Sequence, residues 1–516
     1  MTYTESAVDA LIAQAQNLHA QMGDRKLFGD IWPNLPLVPL NPDNPTPNGG
    51  SKFSLNTGDT AWMLGSSAIV LFMTMPGLAI YYGGMVSSKN VLATVMQSFS
   101  ICSMITVLWL VFGYSLAFAP SGFNPESEKR YYDTIIFGDA SRFFLRGLSF
   151  TTAHSNAPTI PESVFCMFQV TFAIITAALI CGSFADRMKY WSMMLFIGLW
   201  HLCAYCPIAH SMWHHNGLLF RLGVLDFAGG NVVHISSGTA GLVAALMLGN
   251  RKGWSPKDHN SHPPHNILLT FMGMSMLWVG WFGFNAGSAT SANFGAGFAM
   301  LATQIATSMA SISWMLTEVI MRADHKPSVL GMVNGAVAGL VAITPACGYV
   351  DMTGAFIIGV VAGPVCYFGA RLKYYVFKID DALDAFGIHA IGGITGGILT
   401  GFFATPHVTG PLGYATETIQ PGGSFATVAV GVFYGNTWYG GHTLGVQCAA
   451  IAFALSWSAV VSFILLKGID LTLGLRVSAE DEEAGLDSSL HGETVINSPI
   501  DGKAGSEHLH DQYPNA

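Results

Sequence analysis

Two aspartate–histidine pairs stand inside stretches apolar enough for a membrane. "DFAGGNVVHISSGTAG" (226–241) carries Asp226 eight residues before His234, and "DALDAFGIHAIGGITG" (381–396) carries Asp381 eight before His389. In both, glycine follows the histidine by four (Gly238, Gly393) and by seven (Gly241, Gly396). Ionisable side chains are costly in hydrocarbon. A neutral imidazole, however, both donates and accepts a hydrogen bond and can relay a proton. Aspartate at the head of a helix satisfies the exposed N–H groups there. Asp226 is therefore expected to cap its helix and organise the site rather than line a path.

The elements that must position these residues are membrane helices. Of 516 residues, 51% are hydrophobic and only 10% charged, where a soluble chain carries about a quarter charged. The 58 glycines suit close helix approach in lipid. Hydropathy gives eleven spans, near 60–82, 91–119, 162–184, 190–213, 227–249, 265–288, 293–321, 328–345, 352–371, 385–404 and 442–470. The loops after spans 1, 3, 5, 7 and 9 hold eleven cations, and the short loops after spans 4, 6, 8 and 10 hold only Arg221. Positive loops stay inside, which places the N-terminus outside and the C-terminus inside. The fold class expected is an all-α polytopic membrane protein with eleven transmembrane helices. Because five spans separate the two Asp–His segments, they run in opposite directions, as in an inverted five-plus-five repeat with its site near the bilayer midplane. At a helix rise of 1.5 Å per residue, each histidine is expected ~12 Å from its own aspartate.

Aromatic residues line up above the histidines. Phe168 and Phe172 lie four apart on one face of span 3, Phe284 lies one turn below Ser288 at the end of span 6, and Trp213 closes span 4. From outside inward the layers are Trp213, Phe168 and Ser288, then Phe172 and Phe284, then His234 and His389. Aromatic faces attract a desolvated cation, and two stacked phenyls exclude water. No acidic ring follows, unlike a simple cation pore. Such a path suits a small cation that can lose a proton.

The remaining signals exclude more than they assign. The net charge of −9 is mostly a tail effect, with an acidic run beginning "EDEE" at 480, and no basic tract suggests nucleic acid. Eight cysteines in or near apolar spans read as small core residues, not a secreted framework. "HSMWHH" (His210, His214, His215) and "CAYC" (203–206) have metal-ligand character, as do His259, His262 and His265. The charge-derived topology puts the first group outside and the last inside, so they cannot share a metal, and neither an enzyme nor a cofactor is expected. Residues 8–18 show helical apolar spacing before a Pro- and Asn-rich linker. The organisation read here is an extracellular polar tail (1–56), a transmembrane domain (57–476) and a cytoplasmic acidic tail (477–516).

These motifs resemble the ammonium transporter family (Amt/Mep/Rh), on the Amt side. They are "GLAIYYGGMVSSKN" (77–90), "FQVTFAIITAALICGSFADR" (168–187), "LDFAGGNVVHI" (225–235), "GWFGFNAGSA" (280–289), "TPACGYV" (344–350), "DDALDAFGIHAIGG" (380–393) and "GLRVSAEDEEAGLD" (474–487). The resemblance runs over roughly 57–490. It implies a homotrimer in the lipid bilayer with one pore per subunit, taking ammonium or ammonia and methylammonium, with the plasma membrane as its location. It also implies roles: ammonium recruitment for Trp213, Phe168 and Ser288, a phenylalanine gate for Phe172 and Phe284, and twin pore histidines for His234 and His389. Gln169, Trp281 and Thr344 match supporting positions, and Asp226 matches the acid needed for transport. The resemblance further implies a tail that docks on the neighbouring subunit and can receive a cytosolic regulator. Ser489 stands where some members carry a phosphorylatable threonine. Two departures stand out: the stretch after Trp213 lacks the family's Gly-rich run, and 405–431 is an insertion. The competing function is an ammonium sensor that transports little.

Overall fold

The computed structural model describes residues 55–119, 135–149, 152–258, 261–409, 416–420, 423–427, 430–435 and 437–495. The amphipathic stretch expected at 8–18 lies outside them. Among the described residues nine helices are long and apolar enough to cross a membrane. In chain order with two more they are α1 (Thr57–Met85), α2 (Val91–Phe118), α3 (Glu162–Phe184), α4 (Tyr190–Arg221), α5 (Gly230–Leu248), α6 (Ile267–Gly287), α7 (Phe294–Met321), α8 (Val329–Ile343), α9 (Met352–Phe377), α10 (Phe386–Phe403) and α11 (Tyr439–Thr472). The two extra helices, α7 and α8, fill spans expected from sequence. The first is diluted by Ser, Thr and Gln, and the second has only 15 residues.

Local chemistry starts these helices where hydropathy placed them. Asn56, Asn266, Asn293, Ser328 and Asp351 each accept a hydrogen bond from a backbone N–H in the first turn of α1, α6, α7, α8 and α9. Among the described residues the regular elements are helical with one exception. Part of the 405–431 insertion forms an antiparallel hairpin, β1 (Thr416–Gln420) with β2 (Gly423–Thr427), pairing Thr416 with Thr427. After α11, two short helices follow, α12 (Ala479–Ala484) and α13 (Leu486–His491).

The repeated glycines explain how the two histidine helices meet. A Cβ on Gly238 would lie 2.5 Å from the Ala390 nitrogen, and one on Gly393 would lie 2.8 Å from Ile235 Cγ1. Each glycine four residues past a histidine therefore lets the partner helix cross there. The glycines seven past serve other neighbours, since a Cβ on Gly241 would run into Ser183 of α3 and one on Gly396 into Ala342 of α8. Helix–helix association in lipid rests on such close backbone approach.

The two ends of the bundle differ. At one, Asn56 donates to the Thr159 carbonyl (2.9 Å) and the Ala292 N–H donates to Asp59 (2.8 Å). At the other, the tail packs on its own chain: the Leu486 N–H donates to Asn90 (2.7 Å), Asp487 accepts from the Ala93 N–H (2.8 Å), and Glu482 accepts from the Lys252 N–H (2.7 Å). Beneath the tail lies an ion network. Arg251 holds Asp380 through Nε (2.6 Å) and Nη2 (2.9 Å) and Asp186 through Nη1 (2.9 Å). Arg187 donates to the carbonyls of Asp380, Ser183 and Gly249. Burial pulls the Arg187 guanidinium down to about 10. Burial also pushes the Asp380 carboxyl up, but Arg251 and Arg187 outweigh it and hold the group well below its ordinary value.

Candidate functional site

The site begins where α5 begins. Leu225–Gly229 is not helical, and Gly229, at φ +108°, turns the chain in a conformation open to glycine. The Asp226 carboxylate, buried, then accepts from four successive backbone N–H groups: Gly229 (3.0 Å), Gly230 (2.5 Å), Asn231 (2.9 Å) and Val232 (3.3 Å). It is a cap, as expected. The expected depth is corrected: only residues from Gly230 onward rise along a helix axis, so the ~12 Å separation of Asp226 from His234 does not apply. Both histidines sit in single π-turns, Gly230–Ile235 and Phe386–Ala390, that lead directly into the α-helical part of their helices. Such turns recur at functional positions, and residue type gives no warning of them.

His234 and His389 meet at the crossing of α5 and α10. Their Nδ1 atoms are 3.3 Å apart and their rings stack at 5.4 Å with 19° between planes. Both are buried. Two nitrogens at that distance share one proton: one ring donates from Nδ1, the other accepts. Whichever donates, its Nε2 is left an acceptor, and the accepting ring carries a proton on Nε2. His234 Nε2 has no hydrogen-bond partner among the described residues.

The aromatic residues form a continuous line to this pair. Trp213 stands edge-on to Phe172 (5.8 Å, 85°), Phe168 lies 4.9 Å from Phe172, and Phe172 stacks on Phe284 at 4.1 Å and 22°. Phe284 is 6.1 Å from His234, and Trp281 stacks on His234 at 5.3 Å and 19°. The structure thus brings together Trp213, Phe168, Phe172, Phe284, His234, His389 and Trp281. Ser288 is half-buried at the end of α6, its hydroxyl donating to the Phe284 carbonyl (2.8 Å). Thr344 is a support: its hydroxyl oxygen accepts from Trp281 Nε1 (2.9 Å). Gln169 is buried on α3 between Phe168 and Val170, its Oε1 unpaired among the described residues.

Sequence reasoning missed several positioning residues. Gln447 of α11 accepts from the Leu225 N–H (2.8 Å) and donates to the carbonyls of Leu225 (2.9 Å) and Gly397 (3.2 Å), clamping the approach to Asp226 against α10. Asn285 donates to Thr303 (2.9 Å) beside Thr344. Asn156 donates from its amide to the Trp213 carbonyl (2.8 Å). A lone amide in a span or loop carries no periodic signal. Among the described residues no group of three or more His, Cys, Asp or Glu is placed to hold a metal. Ser489 is exposed on α13.

A family model described as the Ammonium Transporter Family matches residues 61–496. The chain is 43% identical over 439 residues to an ammonium transporter of Bacillus subtilis, covering 85% of this chain and 98% of that protein. Among solved structures it is similar to Saccharomyces cerevisiae Mep2, with a TM-score of 0.70 and 33% identity, covering 83% of this chain and 89% of that one. A solved chain titled Sensor Amt Protein is similar at 25% identity and a TM-score of 0.71, covering 83% of this chain and 97% of that one.

Proposed function

The chain belongs to the ammonium transporter family, and on that premise we propose that it moves ammonium as ammonia through the path ending at His234 and His389. It is a multi-pass membrane protein, read here as eleven spans with the N-terminus outside and as a plasma-membrane homotrimer with one path per chain. Ammonium is recruited as a cation among Trp213, Phe168 and Ser288, where ring faces and a hydroxyl oxygen replace water. It loses its proton near Phe172 and Phe284, which lie face to face at 4.1 Å. Carrying a full charge to the midplane costs ~3 kcal/mol on insertion scales, and the neutral form avoids this. Potassium has no proton to give up and is rejected.

One observation carries this reading: two imidazoles with a single shared Nδ1–Nδ1 proton at the end of an unbroken aromatic line. The pair presents one acceptor and one donor at its Nε2 atoms. Ammonia has N–H groups for the first and a lone pair for the second; an alkali cation meets one lone pair, which does not replace its hydration shell, and is repelled by the N–H. The test is labelled methylammonium uptake recorded together with current, with and without His234→Ala. Uptake falling at least about tenfold in the variant, as expected when a buried polar pair is broken, supports the path. Undiminished uptake refutes it, and charge moving in step with label shows that the proton travels too.

A second reading, ammonium sensing with little transport, is favoured by the likeness to the sensor structure, and uptake near background in wild type would establish it. At the inner end, we propose that phosphorylation of Ser489 closes the path. A phosphate there lies two residues from Asp487 and repels it, which loosens the Asp487 contact with Ala93. Ser489→Asp is expected to lower uptake severalfold; equal uptake in Ser489→Asp and Ser489→Ala counts against this.

A further inference from the structure

One buried hydroxyl stands apart from its neighbours. Ser67 donates to the Met63 carbonyl (2.7 Å), Ser211 to Pro207 (2.7 Å) and Thr303 to Ala299 (2.6 Å). Each bonds four residues back, as this residue type does inside a helix. Ser66 of α1 does not. It is fully buried, and its Oγ has no hydrogen-bond partner among the described residues. A buried hydroxyl left unpaired costs stability, and a polar ligand can satisfy it.

The packing places that hydroxyl beside the outer site. α1 and α6 run antiparallel in close contact. A Cβ on Gly280 would run into Met73, one on Gly283 would lie 3.0 Å from the Ser66 carbonyl oxygen, and one on Gly287 would lie 2.8 Å from Ser66 Cβ. The Gly287 Cβ would also lie 2.8 Å from Cε2 and 3.0 Å from Cζ of Phe168. The bare Cα of Gly287 therefore leaves a notch. On one side is the carbon that carries the Ser66 hydroxyl, on the other the edge of the Phe168 ring, and Ser288 is the next residue. Gln169, whose Oε1 is also unpaired, follows Phe168 by one residue and so stands about 100° around α3 from the Phe168–Phe172 face.

We propose that Ser66 is a specificity-determining residue of the outer site, its Oγ accepting an N–H of ammonium at the Gly287 notch. The inference rests on the reading of Trp213, Phe168 and Ser288 as the recruitment site. Ammonium carries four N–H groups at tetrahedral angles, and those three residues supply two ring faces and one hydroxyl oxygen. The Ser288 oxygen is open as an acceptor because its own hydrogen is given to the Phe284 carbonyl. Ser66 adds the fourth acceptor. Methylammonium has only three N–H groups, which the first three acceptors match, and its methyl then faces a hydroxyl it cannot bond. A site built to pair a polar group discriminates against the analogue that leaves it unpaired. The Ser66 hydroxyl thus favours ammonium over methylammonium.

The experiment is labelled methylammonium uptake by the full chain, giving KM for methylammonium and, by competition with unlabelled ammonium, the Ki of ammonium. In Ser66→Ala the ammonium Ki is expected to rise about tenfold, the effect of one hydrogen bond to a charged donor. The methylammonium KM is expected to stay at its wild-type value or fall. Thermal unfolding separates this role from a structural one: removing an unpaired buried hydroxyl is neutral or stabilising, so Ser66→Ala should unfold no earlier than wild type. Ser67→Ala, one position on and with its hydroxyl already bonded to the backbone, is expected to leave both constants unchanged. An unchanged ammonium Ki in Ser66→Ala overturns the inference. An equal rise in both constants, or the same shift in Ser67→Ala, also overturns it, since either marks disturbed packing of α1. Should Ser66→Ala fail to reach the membrane, Ser66→Cys keeps the shape with a much weaker acceptor, and the same rise in Ki is required of it. Trp213→Leu tests the underlying site separately. Both constants at wild-type values there refute the recruitment reading, whereas both raised there, with no change in Ser66→Ala, removes Ser66 alone.

Discussion

The two Asp–His segments share spacing, glycines and a π-turn under each histidine, yet they are anchored by different physics. Asp226 is held by four backbone N–H groups. Asp381 accepts from one backbone N–H, that of Phe386 (2.9 Å). The weight of its anchoring lies in side-chain ions around it: Lys373 donates to the Asp381 carbonyl (3.1 Å) and pairs with Asp384 (2.7 Å), while Asp380 enters the Arg251 and Arg187 network. A backbone cap is fixed once the turn is made. An ion network can be titrated and rearranged, and here it lies directly beneath the tail.

The largest expected effect comes from deleting the two acids in turn. Asp226→Ala leaves four buried N–H groups unsatisfied, a loss on the order of 6 kcal/mol or more since charge-assisted bonds contribute about 1.5–3 each. Uptake should fall to background and thermal unfolding of the purified protein should drop steeply. Asp381→Ala removes one such bond and should leave a folded protein with reduced uptake. Equal losses in the two variants would erase the distinction between a backbone-anchored and an ion-anchored end.

The next effect belongs to the inner network and has a definite sign. Asp380 is held below its ordinary value in the folded chain, so its contribution is fully present above the unfolded carboxylate pKa of about 3.9 and is lost as pH falls through the lower folded value. Wild-type unfolding temperature should therefore fall as the solution is taken below about pH 4. Asp380→Asn should be less stable at neutral pH by about 3 kcal/mol, because it leaves the buried Arg251 with Asp186 as its one carboxylate partner among the described residues, and should lose less on acidification. Parallel curves for the two proteins would show that the carboxylate does not carry the acid sensitivity.

What the sequence disclosed and what it withheld follow the same division. Spans, the Asp226 cap and the Asp–His repeat were readable because each is periodic or is a residue type with one strong local use. The aromatic line was readable because helix rise orders side chains by depth. The π-turns under His234 and His389 were not, since no residue type demands them, and neither was the non-helical Leu225–Gly229 stretch that undid the depth expected for His234. Asn156, Gln447 and Asn285 were not readable either: each acts through partners distant in the chain, and a single amide looks alike in a clasp and on a surface. The hairpin at 416–427 falls in the stretch that could be seen only as an insertion.

The smallest effect sharpens the contrast at the histidines themselves. His234 is braced from the side by Trp281, whose indole N–H is fixed by Thr344, whereas His389 makes its only ring contact among the described residues with His234. Thr344→Val keeps volume and removes the acceptor for a buried N–H, at a cost of about 1–2 kcal/mol. If Trp281 holds the His234 ring in register with His389, its release should lower the maximal uptake rate about twofold to threefold with KM unchanged, since the outer recruitment residues are untouched. A lower unfolding temperature with unaltered uptake would instead mean that the π-turn of α5 alone orients His234. The two histidines would then be held by their own helices despite the different anchors above and below them.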